Sequence, residues 1–191
     1  MVKEWQPMRY RALAMIGLGV LLALTARAAD DAPAREYSAM FKLRDAQGDR
    51  QMGATILLDR FTPLQEALSL KDVLASQGQY GLANAIRGRA NGRLRLGVMD
   101  YSLDLATFAP TKDGFFVVVV TTRPIRFEES QEGSESLDFP FGVITFSLDG
   151  FGRGEGRFYP KSRLLINEDG SIAVQQFAEG EGKVTDIKKV R

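Results

Sequence analysis

The chain has 191 residues, with 25 basic and 24 acidic side chains and neither histidine nor cysteine. Without those two residue types there is no Ser-His-Asp triad, no thiol nucleophile, no zinc held by His or Cys and no haem on either ligand. Carboxylate, lysine, tyrosine and hydroxyl chemistry remain, together with oxygen-ligand metals such as calcium. No cofactor is implied, and the near balance of charge speaks against nucleic acid as the main partner, because phosphate binding takes a local excess of Lys and Arg.

Lys3, Arg9 and Arg11 precede an apolar segment from Ala12 to Leu24, and T-A-R-A-A-D follows, with Ala26 and Ala28 at the small-residue positions. This three-part pattern predicts a signal peptide over residues 1–28, cut near Ala28/Ala29. The apolar segment falls short of the roughly 18 residues of a spanning helix, so the exported product is expected to be secreted or periplasmic, with no integral membrane segment. The absence of cysteine excludes a lipidated N-terminal cysteine. The first 28 residues hold four basic side chains and one acidic, which leaves the other 163 with a formal charge of −2. That length suits one β-rich domain over 36–191, behind a flexible lead-in at 29–35.

The segment from Glu36 to Arg44 alternates as a half-buried strand, D-A-Q-G-D-R-Q-M-G supplies its turn, and Ala54 to Phe61 reads as a second strand. The period changes at T-P-L-Q. Thr62 stands where an N-cap belongs, Pro63 at the first helical position and Gln65 where a capping-box partner sits. The helix is predicted to about Ser76, with Leu64, Ala67, Leu68, Leu70 and Leu74 on one face and Gly78 past its end. A shorter helix, Tyr80 to Ile86, follows and stops at Gly88.

From Asn91 strands return, and Asp-Gly pairs at 113–114, 149–150 and 169–170 predict hairpins. They pair Tyr101–Phe108 with Phe115–Thr122, Val143–Leu148 with Gly156–Tyr159, and Leu164–Asn167 with Ser171–Phe177. The fold class is α+β and mostly β: an antiparallel meander of about eight strands, barrel-like or a sandwich, with one short helical pair between the second and third strands.

Phe115 to Val120 is apolar on both faces, as in a central strand covered on both sides. Pro124 cannot donate to a ladder, so pairing is expected to lapse there. Arg123 then leaves the core at the rim, with Arg126 on the opposite face. A salt bridge from Arg123 to a carboxylate of the 128–138 segment would close the fold; the alternative is that Arg123 and Arg126 contact an anionic ligand group. The acidic stretch Glu128, Glu129, Glu132, Glu135 and Asp138 lacks the Asp/Asn ladder and central Gly of a helix-loop-helix calcium loop and reads as a solvated loop. D-G-F-G-R-G-E-G, from Asp149, is followed by strand-like residues, so it reads as a turn or bulge rather than a phosphate cradle. Arg87, Arg89, Arg93 and Arg95 read as an exposed strand face, with contact to anionic envelope groups as the alternative. The many strand aromatics read as core, some of which could line an apolar pocket.

T-T-R-P-I-R-F-E-E, then L-D-F-P-F-G-V-I-T-F-S-L-D, then G-R-G-E-G-R-F-Y-P, behind a leader, a helical block and a G-R-L-R-L-G strand, resembles a group of secreted proteins found mainly in soil bacteria, to which no activity is attached. The resemblance implies export and a single domain and carries over no site residue. The expectation is a monomeric, non-enzymatic binding or interaction domain whose partner is a small apolar or anionic ligand or an envelope protein. Its rivals are a carboxylate-based hydrolase acting on polysaccharide and an envelope-associated assembly protein that uses exposed strand edges.

Overall fold

A computed structural model describes residues 35–45, 48–127, 138–168, 171–176 and 181–190. The predicted signal peptide and lead-in, the acidic stretch as far as Leu137 and the Asp169-Gly170 turn lie outside the described residues.

The described residues form ten strands in one antiparallel sheet that is nearly closed into a barrel. In chain order they are β1 (Arg35–Asp45), β2 (Gly48–Leu58), β3 (Gly92–Leu96), β4 (Met99–Leu103), β5 (Leu105–Thr111), β6 (Gly114–Thr121), β7 (Phe141–Asp149), β8 (Arg153–Ile166), β9 (Ile172–Gln176) and β10 (Glu181–Lys189). The helical block, α1 (Leu64–Ile86), lies between β2 and β3. β1 to β4 form one meander and β5 to β8 another; β10 joins them by pairing with β1 on one side and β8 on the other, and β9 hangs on β8. Two of the predicted hairpins are present, β7 with β8 and β8 with β9.

The third pairing differs. Tyr101 to Leu103 belong to β4 and pair with β3, and only residues from Leu105 onward pair with β6. Asp104 makes the division. Its carboxylate, 2 % exposed, accepts hydrogen bonds from the Gly88 amide (2.9 Å), the Ser102 hydroxyl (3.0 Å), and the Thr122 amide and hydroxyl (3.0 and 2.9 Å), while its own amide donates to the Val120 carbonyl. A run that alternates like one strand is thereby a bent pair, one half bonded to each end of the sheet.

The alternation of β1, β2 and β3 puts Tyr37, Phe41, Ile56, Leu94 and Leu96 inside the barrel. β6 is covered on both faces, as its continuous apolar run predicts: Val117 and Val119 enter the barrel core, and Val118 and Val120 meet Leu70, Leu82 and Ile86 of α1 outside it. Each such side chain, taken fully out of water, contributes about 1.5–3 kcal/mol, so the helix stabilises the outer face of β5 to β8 as the barrel core stabilises the inner one.

α1 is the predicted pair of helices run together across a kink at Gly78, whose φ of 67° suits glycine. Thr62 does not cap it. The helix starts at Leu64 without a side-chain cap, and the Thr62 hydroxyl accepts instead from the Asn91 side chain (2.6 Å) and the Ala106 amide (3.3 Å). The capping-box spacing is there, but a buried cross-link to β5 uses the hydroxyl. The glycine-rich stretch is mostly strand: a Cβ on Gly156 would stand 2.1 Å from the Thr145 carbonyl oxygen and 2.6 Å from Phe146 Cβ, so glycine lets β8 lie close against β7 where the sheet curls.

Replacing Asp104 with Ala strips four donors of their acceptor inside the fold, and the unfolding free energy by denaturant titration is expected to fall by about 3 kcal/mol; an unchanged midpoint would contradict the role given to this carboxylate.

Candidate functional site

The rim singled out by the sequence lies where β6 runs out. Pairing stops at Thr121, and Pro124 follows in irregular chain. Residues 122–127 then pass alongside β4, and side chains replace the missing ladder. The Tyr101 hydroxyl accepts from the Arg126 amide (2.9 Å) and donates to the Arg126 carbonyl (3.3 Å). The Arg123 guanidinium lies over the Tyr101 ring, 4.5 Å from its centroid, and donates to the Asp100 carbonyl. Arg123 spans the seam through a ring face and a backbone oxygen, while the carboxylates expected to pair with it, up to residue 137, lie outside the described residues. Its guanidinium stays exposed, and the Arg126 backbone, held by Tyr101, is its neighbour in the clasp.

Both ends of the barrel repeat this motif. Arg35, at the start of β1, lies 5.7 Å from the ring centroids of Phe61 and Phe115. Arg50, near the start of β2, lies 5.8 Å from Phe127 with Nε and Nη1 shielded from solvent. Between them Phe158 lies 5.0 Å from Phe41, tilted, and 5.6 Å from Phe127, stacked, and Tyr37 meets Phe146 edge-on. Side chains fill the interior, and arginines on aromatic rings stop its ends. Burial pushes the Tyr37 phenol above its ordinary pKa, against a smaller opposing pull from Arg35.

On the outer face, Glu36, Thr55, Leu57, Arg93 and Arg95 line a shallow depression, open to solvent. Arg93 and Arg95 are exposed, as alternation predicts, and Arg95 reaches Asp100 at 3.4 Å. Arg89 does not join them: it pairs with Glu66 of α1 and donates to the Ala85 carbonyl (2.9 Å), fastening the helix end. Among the described residues no group of three or more acidic side chains is placed to hold a metal ion, and no helix is long and apolar enough to cross a membrane.

Sequence reasoning missed the outer end of β8. Past the point where β7 begins, one edge of β8 is met by Gln79, just after the helix kink. Its amide donates to the Leu164 carbonyl (2.8 Å) and accepts from the Leu164 amide (2.9 Å), as a neighbouring strand would. Facing residues of an antiparallel ladder exchange both bonds or neither. Since Leu164 gives both of its groups to Gln79, Val174 opposite it turns its own amide and carbonyl outward, away from β8. The outer edge of β9 at Val174 is thus open among the described residues. A glutamine in a helical segment gives no sign of this.

Arg123→Ala should cost about 1 kcal/mol and lower the melting temperature by about 2–4 °C; no change would return Arg123 to the ligand-contact reading. Tyr37 makes stability sensitive to alkali. Its folded pKa is raised, so its contribution is complete below the unfolded value near 10 and is lost as pH climbs toward the folded one. Chemical denaturation as a function of pH should show that decline in the native protein, and Tyr37→Phe should remove it. Comparison with protein-family models, curated proteins and solved structures finds no match to this chain.

Proposed function

We propose that the chain is a secreted or periplasmic, non-enzymatic interaction domain that takes an extended segment of an envelope protein as an added strand on β9. The observation that carries the reading is the asymmetry of the β8–β9 hairpin. The helix supplies Gln79 to one edge, while Val174 on the other presents an amide and a carbonyl to a newcomer. Added strands bind through such main-chain groups, and alternate side chains provide selectivity.

Other features support it. A barrel packed with its own aromatics leaves little room for a ligand inside, which directs binding outward. Ile172 and Val174, half-buried against Leu164 and the helix side, give an added strand an apolar floor to continue. The signal-peptide pattern and the order of motifs shared with secreted bacterial proteins support an envelope setting.

Val174→Pro removes the outward amide while the inner bonds at Ala173 and Gln175 stay, so the fold should lose about 1 kcal/mol or less. A photoreactive residue at Ala173 should then give a discrete cross-linked product in exporting cells that disappears with Val174→Pro, whereas one at Arg93 should not. A product that survives the proline, or a small molecule retained by the purified protein in native mass spectrometry, would contradict the reading.

A further inference from the structure

The turn between β7 and β8 is stiffly built and carries an aromatic ring that no described residue covers. The Asp149 carboxylate accepts from the Phe151 amide (2.9 Å) and the Arg153 amide (2.8 Å), and the Gly152 amide donates to the Asp149 carbonyl (3.0 Å). β10 braces it from the side: the Lys189 amide donates to the Gly152 carbonyl (2.9 Å), and Lys189 packs so near Gly152 that a Cβ there would lie 2.7 Å from its own. Gly152, at φ 74°, suits that space. The Phe151 side chain held on this frame is 85 % exposed, and Val190, next to Lys189, is 54 % exposed.

Cations stand on the strands and the turn beside this tip. Arg153 pairs directly with Lys188 across β8 and β10, Lys189 follows on the strand, and Lys112 stands in the neighbouring turn between β5 and β6. Asp113 and Asp149 are the acidic groups of the two tips, and Asp149 already accepts two turn amides. A rigid loop that holds phenylalanine and valine in water beside three or four cations matches the layered chemistry of an anionic bilayer surface. There the ring can enter the acyl boundary while Lys and Arg stay at the phosphates.

We propose that this end of the barrel is a peripheral membrane-contact site for anionic phospholipid, with Phe151 as the inserting side chain and Arg153, Lys188 and Lys189 as the headgroup contacts. The proposal goes beyond the strand-addition reading and does not depend on it, because β9 takes no part. It makes the protein a surface binder that approaches lipid reversibly, tip first.

Sedimentation of the exported protein with vesicles tests it, using phosphatidylglycerol-containing vesicles beside pure phosphatidylcholine. Binding should favour the anionic vesicles and weaken as salt is raised. Phe151→Ser should lower it about tenfold without moving the melting temperature, since the ring is exposed. Replacing Arg153, Lys188 and Lys189 together by Gln should abolish the lipid preference. Trp5, inside the predicted leader, is the chain's one tryptophan, so in the processed protein Phe151→Trp would be a lone reporter whose emission should shift to the blue on anionic vesicles. Absence of binding, equal binding to neutral vesicles, or indifference to Phe151→Ser would overturn the proposal.

Discussion

The buried carboxylate of Asp104 is the point on which the barrel turns. It sits where the strand that pairs with β3 becomes the strand that pairs with β6, and its four donors come from the helix terminus at Gly88, from Ser102 on one side of the bend and from Thr122 beyond the end of β6. A carboxylate this enclosed is tolerable only when donors satisfy it. Loss of any one of those segments therefore leaves the others with a poorly solvated charge. The arrangement also fixes Thr122, and Arg123 and Pro124 follow it directly. The clasp of Arg123 on Tyr101, and of Tyr101 on the Arg126 backbone, can form only because residue 122 is already held.

From that seam the rest follows by packing. With the two ends of the sheet brought together, inward positions on β1, β2, β3, β6, β7 and β8 face one another, and aromatic rings occupy the space. α1 then has one place to lie, over the outward valines of β6, and its kink at Gly78 delivers Gln79 to Leu164. A nearly closed barrel with an aromatic core directs function to its surface. There two features stand out because the fold has not neutralised them: the outward groups of Val174 and the exposed ring of Phe151.

Much of this was legible in local chemistry. The doubly apolar run from Phe115 to Val120 announces a strand covered on both faces, Pro124 announces the end of its pairing, and Gly78 and Gly88 mark the breaks in the helical block. Distant pairings were not legible, because nothing near residues 181–189 says that this strand lies between β1 and β8. Nor was Asp104, since one polar residue in an alternating run looks like an outward position; its burial depends on partners 16 and 18 residues away. Thr62 misled for the same reason: its local pattern is that of a helix cap, and a partner 29 residues on, Asn91, has the stronger claim. The contacts of Arg123 with Tyr101 and Asp100 come from β4, which no spacing in the sequence brings near.

The seam can be watched residue by residue through native-state amide hydrogen exchange. If Asp104 closes the barrel, the amides of Gly88 and Thr122, which among the described residues donate only to its carboxylate oxygens, should exchange only with global unfolding, at the same opening free energy as Val118 and Val119 in β6. If those two amides exchange through a local opening while β6 stays protected, the seam is a loose edge and the carboxylate does not hold the barrel together.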